Sequence, residues 1–468
     1  MSGGAFISMQ HANPRVALRR PLWVAVGCAW LLMLITFSPA GRDDAVAMGS
    51  LDSVALLKLG SRAAVCLLLA ITLASLWTHP RRPSAVRALA PWVLFAGWAL
   101  LSTAWSPLKS VSLGQSAGFA MLLLLAIIVA VVCRGPRAIS QVLGLASVGL
   151  LAVSITLVLL RLAAPDSGSL TREASGVMHS TNGAATASLG LLLLLAARML
   201  FGWRWSKRLL APGLVVHTAA LVLANNRAAL FMTAIVAVGL VGVFAPRFWR
   251  YATIVAVSFA GAVYLALDPG VTLVVDSIGV ASKYMGRGQG HRELAELSGR
   301  TEMWSAVWES FLQSPWIGHG FFVTSASGEI HVWREWSNWT AHNMWLQILV
   351  STGVVGAALM AWGLGRVALQ LFRGMIAGVI SGRVILLLTA LGVWYLGWSM
   401  TNESFFGPIQ PESVVFFVLL GVAAGSVVTA RSRSQSDRDG AMAESPTPWL
   451  VENPISAANE RHASPGPV

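Results

Sequence analysis

Apolar residues in this chain gather into runs of 16 to 24 with few or no charges. At 1.5 Å of helical rise per residue, such runs are long enough to cross about 30 Å of hydrocarbon. A backbone in lipid must satisfy its own hydrogen bonds, so the runs restrict the chain to very few folds. They are continuous rather than alternating, and the expected class is an all-α polytopic membrane protein. With 11% charged residues against 56% hydrophobic, a single water-facing globule is excluded. About twelve spans are expected, at 21–39, 60–78, 90–105, 113–133, 139–161, 183–202, 209–224, 229–245, 249–267, 342–365, 384–400 and 411–430.

The cations sort by side. With the N-terminus inside, the inner segments hold Arg15, Arg19 and Arg20; Arg81, Arg82 and Arg87; Arg134 and Arg137; Arg198, Arg204, Lys207 and Arg208; Arg247 and Arg250; Arg366, Arg373 and Arg383; and Arg431, Arg433, Arg438 and Arg461. These are 21 of the 33 lysines and arginines, at least two in every inner segment, and several others sit in one long outer loop where the charge rule has little force. The net charge of +13 is then mainly an orientation signal, and nucleic acid is not an expected partner. Both termini are expected in the cytoplasm. The organisation reads as a cytoplasmic N-terminus (1–20), nine spans (21–267), a long periplasmic loop (268–341), three spans (342–430) and a disordered cytoplasmic tail (431–468) too poor in apolar residues to fold alone. The first span reads as an uncleaved anchor, with a cleaved leader left open by Ser38, Pro39 and Ala40. Cys28, Cys66 and Cys133 all lie in apolar runs, which points to neither a disulfide framework nor a metal cluster.

Polar chemistry collects on the outer side. The 268–341 loop carries Trp304, Trp308, Trp316, Trp333, Trp336 and Trp339, and indoles favour the headgroup layer, so short amphipathic helices lying on the membrane are expected there. One runs from a Ser298 or Gly299 cap through Trp304, Trp308 and Phe311 to Ser314 and Pro315. It puts Arg300 in the first turn, among free backbone N–H groups suited to phosphate; the competing reading is a solvated arginine paired with Glu296 or Glu302. Arg227 sits in the short outer connection LANNRAALF, against the orientation rule, where it reads either as a ligand site or as a snorkelling side chain. His342 opens the tenth span beside Asn343 and is either a proton acceptor or an interfacial polar residue. Gly353 and Gly356 further along are read as helix-packing positions. Arg161, His179, Asn182 and His319 fall at the same leaflet, which makes a cationic, outward-facing pocket with a base; His217 is read as a buried structural histidine.

GRTEMWSAVWESFLQSPWIGHGFF from Gly299, followed by AHNMWLQILVSTGVVGAAL, resembles the core of the bacterial O-antigen ligase and O-antigen or exopolysaccharide polymerase superfamily. The ligase pattern of His, then Asn, Ser or Gln, nine residues, and Gly-x-x-Gly is matched from His342 and Asn343 to Gly353 and Gly356. WALLSTAWSP from Trp98, SGVMHSTNGAA and NNRAALF are similar to earlier blocks of the family, and the likeness spans roughly residues 90–425. Ala357 and Ala358 stand where the lipid A-core ligases often continue with small hydroxyl residues. The resemblance implies a GT-C-like inner-membrane glycosyltransferase. Its donor would be an undecaprenyl-pyrophosphate-linked glycan, and its acceptor, at the periplasmic face, a glycan or lipid A-core. Membrane lipids and polysaccharide-assembly proteins would be further partners. It also implies His342 as the catalytic base and Arg227 and Arg300 as the pyrophosphate-binding pair; Arg161, Asn182, His319 and Asn343 are supporting candidates by their place at the outer face.

A sugar hydroxyl attacking an anomeric carbon needs a base, and the departing pyrophosphate needs cations, which two guanidinium groups supply without a metal or cofactor. Polymerisation of repeat units is the preferred reading, on the WALLSTAWSP and HSTNGAA blocks. Ligation to lipid A-core is the alternative. A lipid-linked oligosaccharide flippase, from another class, would show repeated halves and a charged route through the midplane, and neither is visible. Reporter fusions after Arg82, Arg208 and Arg373 are expected to report cytoplasm and a fusion at Gly328 periplasm; a cytoplasmic signal at Gly328 inverts the topology.

Overall fold

The computed structural model describes residues 19–35, 53–133, 135–163, 180–244, 300–328, 330–332, 336–338 and 340–443. The expected ninth span, residues 268–299 with the Ser298 or Gly299 cap, and His179 lie outside them. The helices are α1 (Arg19–Leu34), α2 (Ser53–Ser75), α3 (Arg82–Ala88), α4 (Ala90–Leu101), α5 (Lys109–Val132), α6 (Pro136–Ala163), α7 (Ser180–Phe201), α8 (Arg204–Ala224), α9 (Arg227–Phe244), α10 (Arg300–Gln313), α11 (Met344–Ile376), α12 (Gly382–Trp398) and α13 (Pro411–Ala443). One antiparallel ladder interrupts the helical pattern, β1 (Ile330–Val332) on β2 (Trp336–Asn338), with His331 opposite Ser337.

Seven of the described helices are long and apolar enough to cross a membrane, eight if α3 and α4 make one span; α1, α9 and α12 are shorter apolar helices. The expected span at 90–105 is the part that differs most. α3 and α4 meet at 69° around Leu89, with Pro91 in the first turn of α4. Twelve residues rise only about 18 Å, so α4 cannot cross alone. The tail expected to be disordered from residue 431 begins as helix, because α13 continues to Ala443; extending an existing helix avoids the nucleation cost.

The centre of the bundle is α13 against α5. Gly421 and Gly425, four residues apart on one face, bring α13 onto the α5 backbone: a Cβ at Gly421 would lie 2.6 Å from the Ala126 carbonyl oxygen, and one at Gly425 2.9 Å from that of Ala130. The pairing advances in the same direction on both helices, so they run parallel. At the far end Arg81 locks the pair, donating to the carbonyls of Val131 (3.2 Å) and Gly425 (3.0 Å) and to Thr429. It thereby satisfies carbonyls at the end of α5 that have no partner within the helix.

α11 is broken inside its apolar run. Gly353 has φ 64°, and a Cβ there would lie 2.2 Å from the Trp316 carbonyl carbon. The turn after α10 takes over the backbone groups the break exposes: His319 and Gly320 donate to the carbonyls of Val350 (2.9 Å) and Ser351 (3.0 Å), while Val354 donates to that of Pro315 (2.8 Å). The WALLSTAWSP segment and the first turn of α5 hold the break and the turn from the other side. Ser102 Oγ accepts from the Phe321 N–H at 2.8 Å, Ser112 Oγ donates to the Phe321 carbonyl at 3.0 Å, and Trp98 Nε1 donates to the Thr352 carbonyl at 3.0 Å. Gly353 and Gly356 therefore do not admit a neighbouring helix, as their spacing had suggested. The first admits a turn of backbone and the second makes room for Thr352 of its own helix.

Gly353→Ala meets both a left-handed φ, worth about 1–2 kcal/mol, and a backbone clash. Its melting temperature in detergent is expected to fall well below that of Gly392→Ala, where a Cβ meets nothing within 4 Å; equal melting temperatures would refute the account of the break.

Candidate active site

Asn343 caps α11: its Oδ1 accepts from the N–H groups of Trp345 (2.9 Å) and Leu346 (3.2 Å). The same side chain donates through Nδ2 to the Met400 carbonyl at 3.2 Å, and the Met344 N–H donates to the Ser399 carbonyl at 2.9 Å. The start of α11 is thus docked on the loop joining α12 to α13. His342, one residue before the cap, has φ 44°. That backbone turn aims both its N–H, 2.9 Å away, and its ring Nδ1, 3.2 Å away, at one oxygen of Glu403 in this loop.

Glu403 was not among the residues singled out from the sequence. The one available signal was a lone acid in the short connection TNESFFGP, and nothing local ties it to a histidine sixty residues earlier. Its side chain is 15% exposed, against 38% for His342. Burial pushes the Glu403 carboxyl up, but the His342 charge, hydrogen bonds from His342 and Thr340 and one within its own backbone outweigh it, holding the group at about 2, below its ordinary 4.5. With Nδ1–H given to Glu403, the neutral imidazole keeps its lone pair on Nε2, the atom a proton acceptor needs.

The loop is fixed in the core by Phe405 and Phe406, 3% and 0% exposed. Phe405 stacks on Phe416 at 3.6 Å between centroids, and Phe406 sits 4.8 Å from Phe321, the residue after the Gly318–Gly320 turn. Arg300, the first residue of α10, reaches the same loop through Nη1, which donates to the Thr401 carbonyl at 2.9 Å. Trp304 one turn later donates to the Ala341 carbonyl, also at 2.9 Å. Arg300 and His342 are therefore anchored two residues apart on one segment.

Arg227 is the first residue of α9, behind an Asn226 cap that accepts from the Ala229 N–H at 3.1 Å. Trp394 Nε1 donates to Thr233 at 3.3 Å, and Gly397 leaves space that Met232 fills, so α9 lies antiparallel to α12. Carried on about five residues, that register brings Arg227 level with residues 399–402. Asn226 also reaches Thr181 at 3.4 Å, which sets Asn182, in the first turn of α7, beside the same helix start. The start of α10 is bonded to this loop through Arg300, and the starts of α9 and α7 are joined to each other through Asn226 and Thr181. Free N–H groups and dipole ends make such a place suited to an anion.

The other candidates stand apart. His319 is buried, its Nε2 donates to the Ser310 carbonyl at 2.8 Å, and it meets α10 about 15 Å along the axis from Arg300. It clips α10 to the turn rather than facing the loop. Arg161 lies in the last turn of α6. His217 is fully buried between α6 and α7, its Nδ1 3.0 Å from Ser154 Oγ. Among the described residues, no three His, Cys, Asp or Glu side chains converge on a position that could hold a metal ion.

A family model described as O-antigen ligase matches residues 212–361. The match takes in Arg227, Arg300, His342, Asn343 and the Gly353 break, and ends before Glu403. No curated protein matches the chain significantly.

A carboxyl held low in the folded state adds stability that is complete above its ordinary value and is lost as pH falls toward the folded one. Glu403→Gln is accordingly expected to melt below the unsubstituted protein at about pH 5.5 and to converge with it between 4.5 and 2. A gap unchanged across that range would show that the carboxylate charge is not what holds His342.

Proposed function

We propose that this chain, whose residues 212–361 match the family model described as O-antigen ligase, polymerises surface polysaccharide. In this reading it transfers an undecaprenyl-pyrophosphate-linked glycan to an acceptor sugar at the periplasmic face of the bacterial inner membrane. The observation that carries the proposal is the His342 to Glu403 contact on the loop that also holds Arg300.

The acceptor hydroxyl attacks the anomeric carbon, the bond from that carbon to the pyrophosphate oxygen breaks, and the hydroxyl proton passes to His342 Nε2. The electron pair of the broken bond leaves with polyprenyl pyrophosphate, where Arg227 and Arg300 hold the charge through bidentate hydrogen bonds. A single displacement inverts the anomeric configuration. Glu403, ionised throughout, fixes the imidazole tautomer and stabilises the imidazolium that forms, in the manner of the carboxylate in a catalytic triad. The reaction needs no metal, because the two guanidinium groups occupy the role a divalent ion would fill.

Ligation of a finished polymer to lipid A-core is the second reading, favoured by the description of the matching family model; the WALLSTAWSP and HSTNGAA segments favour the polymerase. Expression in polymerase-null and ligase-null strains, with glycan length profiles, separates the two.

Base and charge clamp fail differently. In nanodiscs with a lipid-linked donor, His342→Ala should lose about 10²- to 10⁴-fold in single-turnover rate, roughly 3–5 kcal/mol, with donor binding little changed. Arg227→Ala and Arg300→Ala should lose both, with lysine restoring only part because an ammonium lacks the planar fork. Unsubstituted protein should keep its rate in excess EDTA. A folded His342→Ala with near-native turnover, or loss of rate in EDTA reversed by Mg²⁺, would sink the mechanism.

A further inference from the structure

α11 is 33 residues long, and its far end carries a second polar site unrelated to His342. A cavity of about 640 Å³ opens there between α11, the turn into α12 and α13, within the ~300–1,000 Å³ usual for small-ligand sites. On α11 its wall is the stripe Trp362, Arg366, Gln370 and Arg373, spaced to share one helix face; opposite stand Ile380 and Val427. The lining contains two arginines, no acidic residue and mostly apolar surface. Gly374 sets the width: a Cβ there would lie 2.4 Å from Ile380 Cδ1, so the turn closes tightly on the helix.

Position along the helix says which layer the site occupies. Arg366 lies ~20 Å beyond the break at Gly353, and with Arg373 and Arg383 it belongs to the cations that the orientation rule places on the cytoplasmic side. That is the headgroup level of the opposite leaflet. The neighbouring side chains Trp362, Leu369 and Phe372 are each about half exposed, an apolar face continuing from the cavity toward the bilayer. Arg366 is held in place by donating to the Arg87 carbonyl at 3.2 Å, with its guanidinium 6.0 Å from the Trp362 ring centroid.

We propose that this cavity binds an anionic glycerophospholipid, its phosphate on Arg366 and Arg373 and its acyl chains along the Trp362 and Leu369 face. A site with cationic and apolar walls fits an amphiphile better than a free anion, and basic pockets between membrane helices select such headgroups. The competing role for these arginines is to complement the negative end of the α11 dipole, since Arg373 lies in its last turn. The proposal does not depend on the transfer reaction.

The test uses the full chain in nanodiscs of phosphatidylcholine alone or mixed with phosphatidylglycerol, reading lipid retention by native mass spectrometry and thermal unfolding. Unsubstituted protein and Arg20→Gln, an exposed arginine elsewhere, should retain phosphatidylglycerol and melt higher in the anionic bilayer. Arg366→Gln with Arg373→Gln should retain it at least roughly tenfold more weakly and lose the thermal increment. If the double variant fails to fold, Arg373→Gln alone, whose side chain is exposed, should show the same change at about fivefold. Equal retention by the variants, or a stability loss of the same size in both bilayers, overturns the proposal. So does inorganic phosphate that reproduces the increment in phosphatidylcholine, because the ligand would then be a free anion.

Discussion

A helix broken inside an apolar bundle exposes backbone donors and acceptors that lipid cannot satisfy, and the candidate site depends on how this chain meets that constraint at Gly353. The carbonyls of Val350 and Ser351 and the N–H of Val354 are all used by the Pro315–Gly320 turn. The break and the turn are therefore one structure. Because α10 leads directly into that turn, the same hydrogen bonds position α10 and, through it, Arg300 at its other end. Phe321, next after the turn, packs on Phe406, which carries the constraint on to the loop that holds Glu403.

Charge is arranged on that frame with opposite signs a short way apart. Glu403 is largely buried yet ionised, which the medium permits only because His342 and Thr340 bond to it. The arginines at the starts of α9 and α10 add their charge to positive dipole ends. The cost of a left-handed histidine at φ 44° is offset by the two bonds it makes with one carboxylate oxygen.

The two ends of α11 divide the chemistry of the chain. At one, a capped helix start, a histidine and Arg300 meet the loop joining α12 to α13; at the other, arginines stand beside apolar walls. The membrane keeps these apart, since a charge costs least where the side chain can reach water or a headgroup.

Much of this was legible in the sequence because it is local. Continuous apolar runs set the helices and cations their expected orientation. The α10 helix ends where Ser314 and Pro315 require. What the sequence could not determine lies in contacts between distant segments. Hydropathy reads 90–105 as one crossing, but its α-helix ends at Leu101 and meets α3 at 69°. The spacing of Gly353 and Gly356 reads as helix packing, until Trp316 is seen lying against the first. Glu403 and His342 are sixty-one residues apart, with no periodicity connecting them. Local physics chose the helices and their ends; only the packed structure, by requiring every buried backbone group to find a partner, decided which ends meet and which carboxylate faces the histidine.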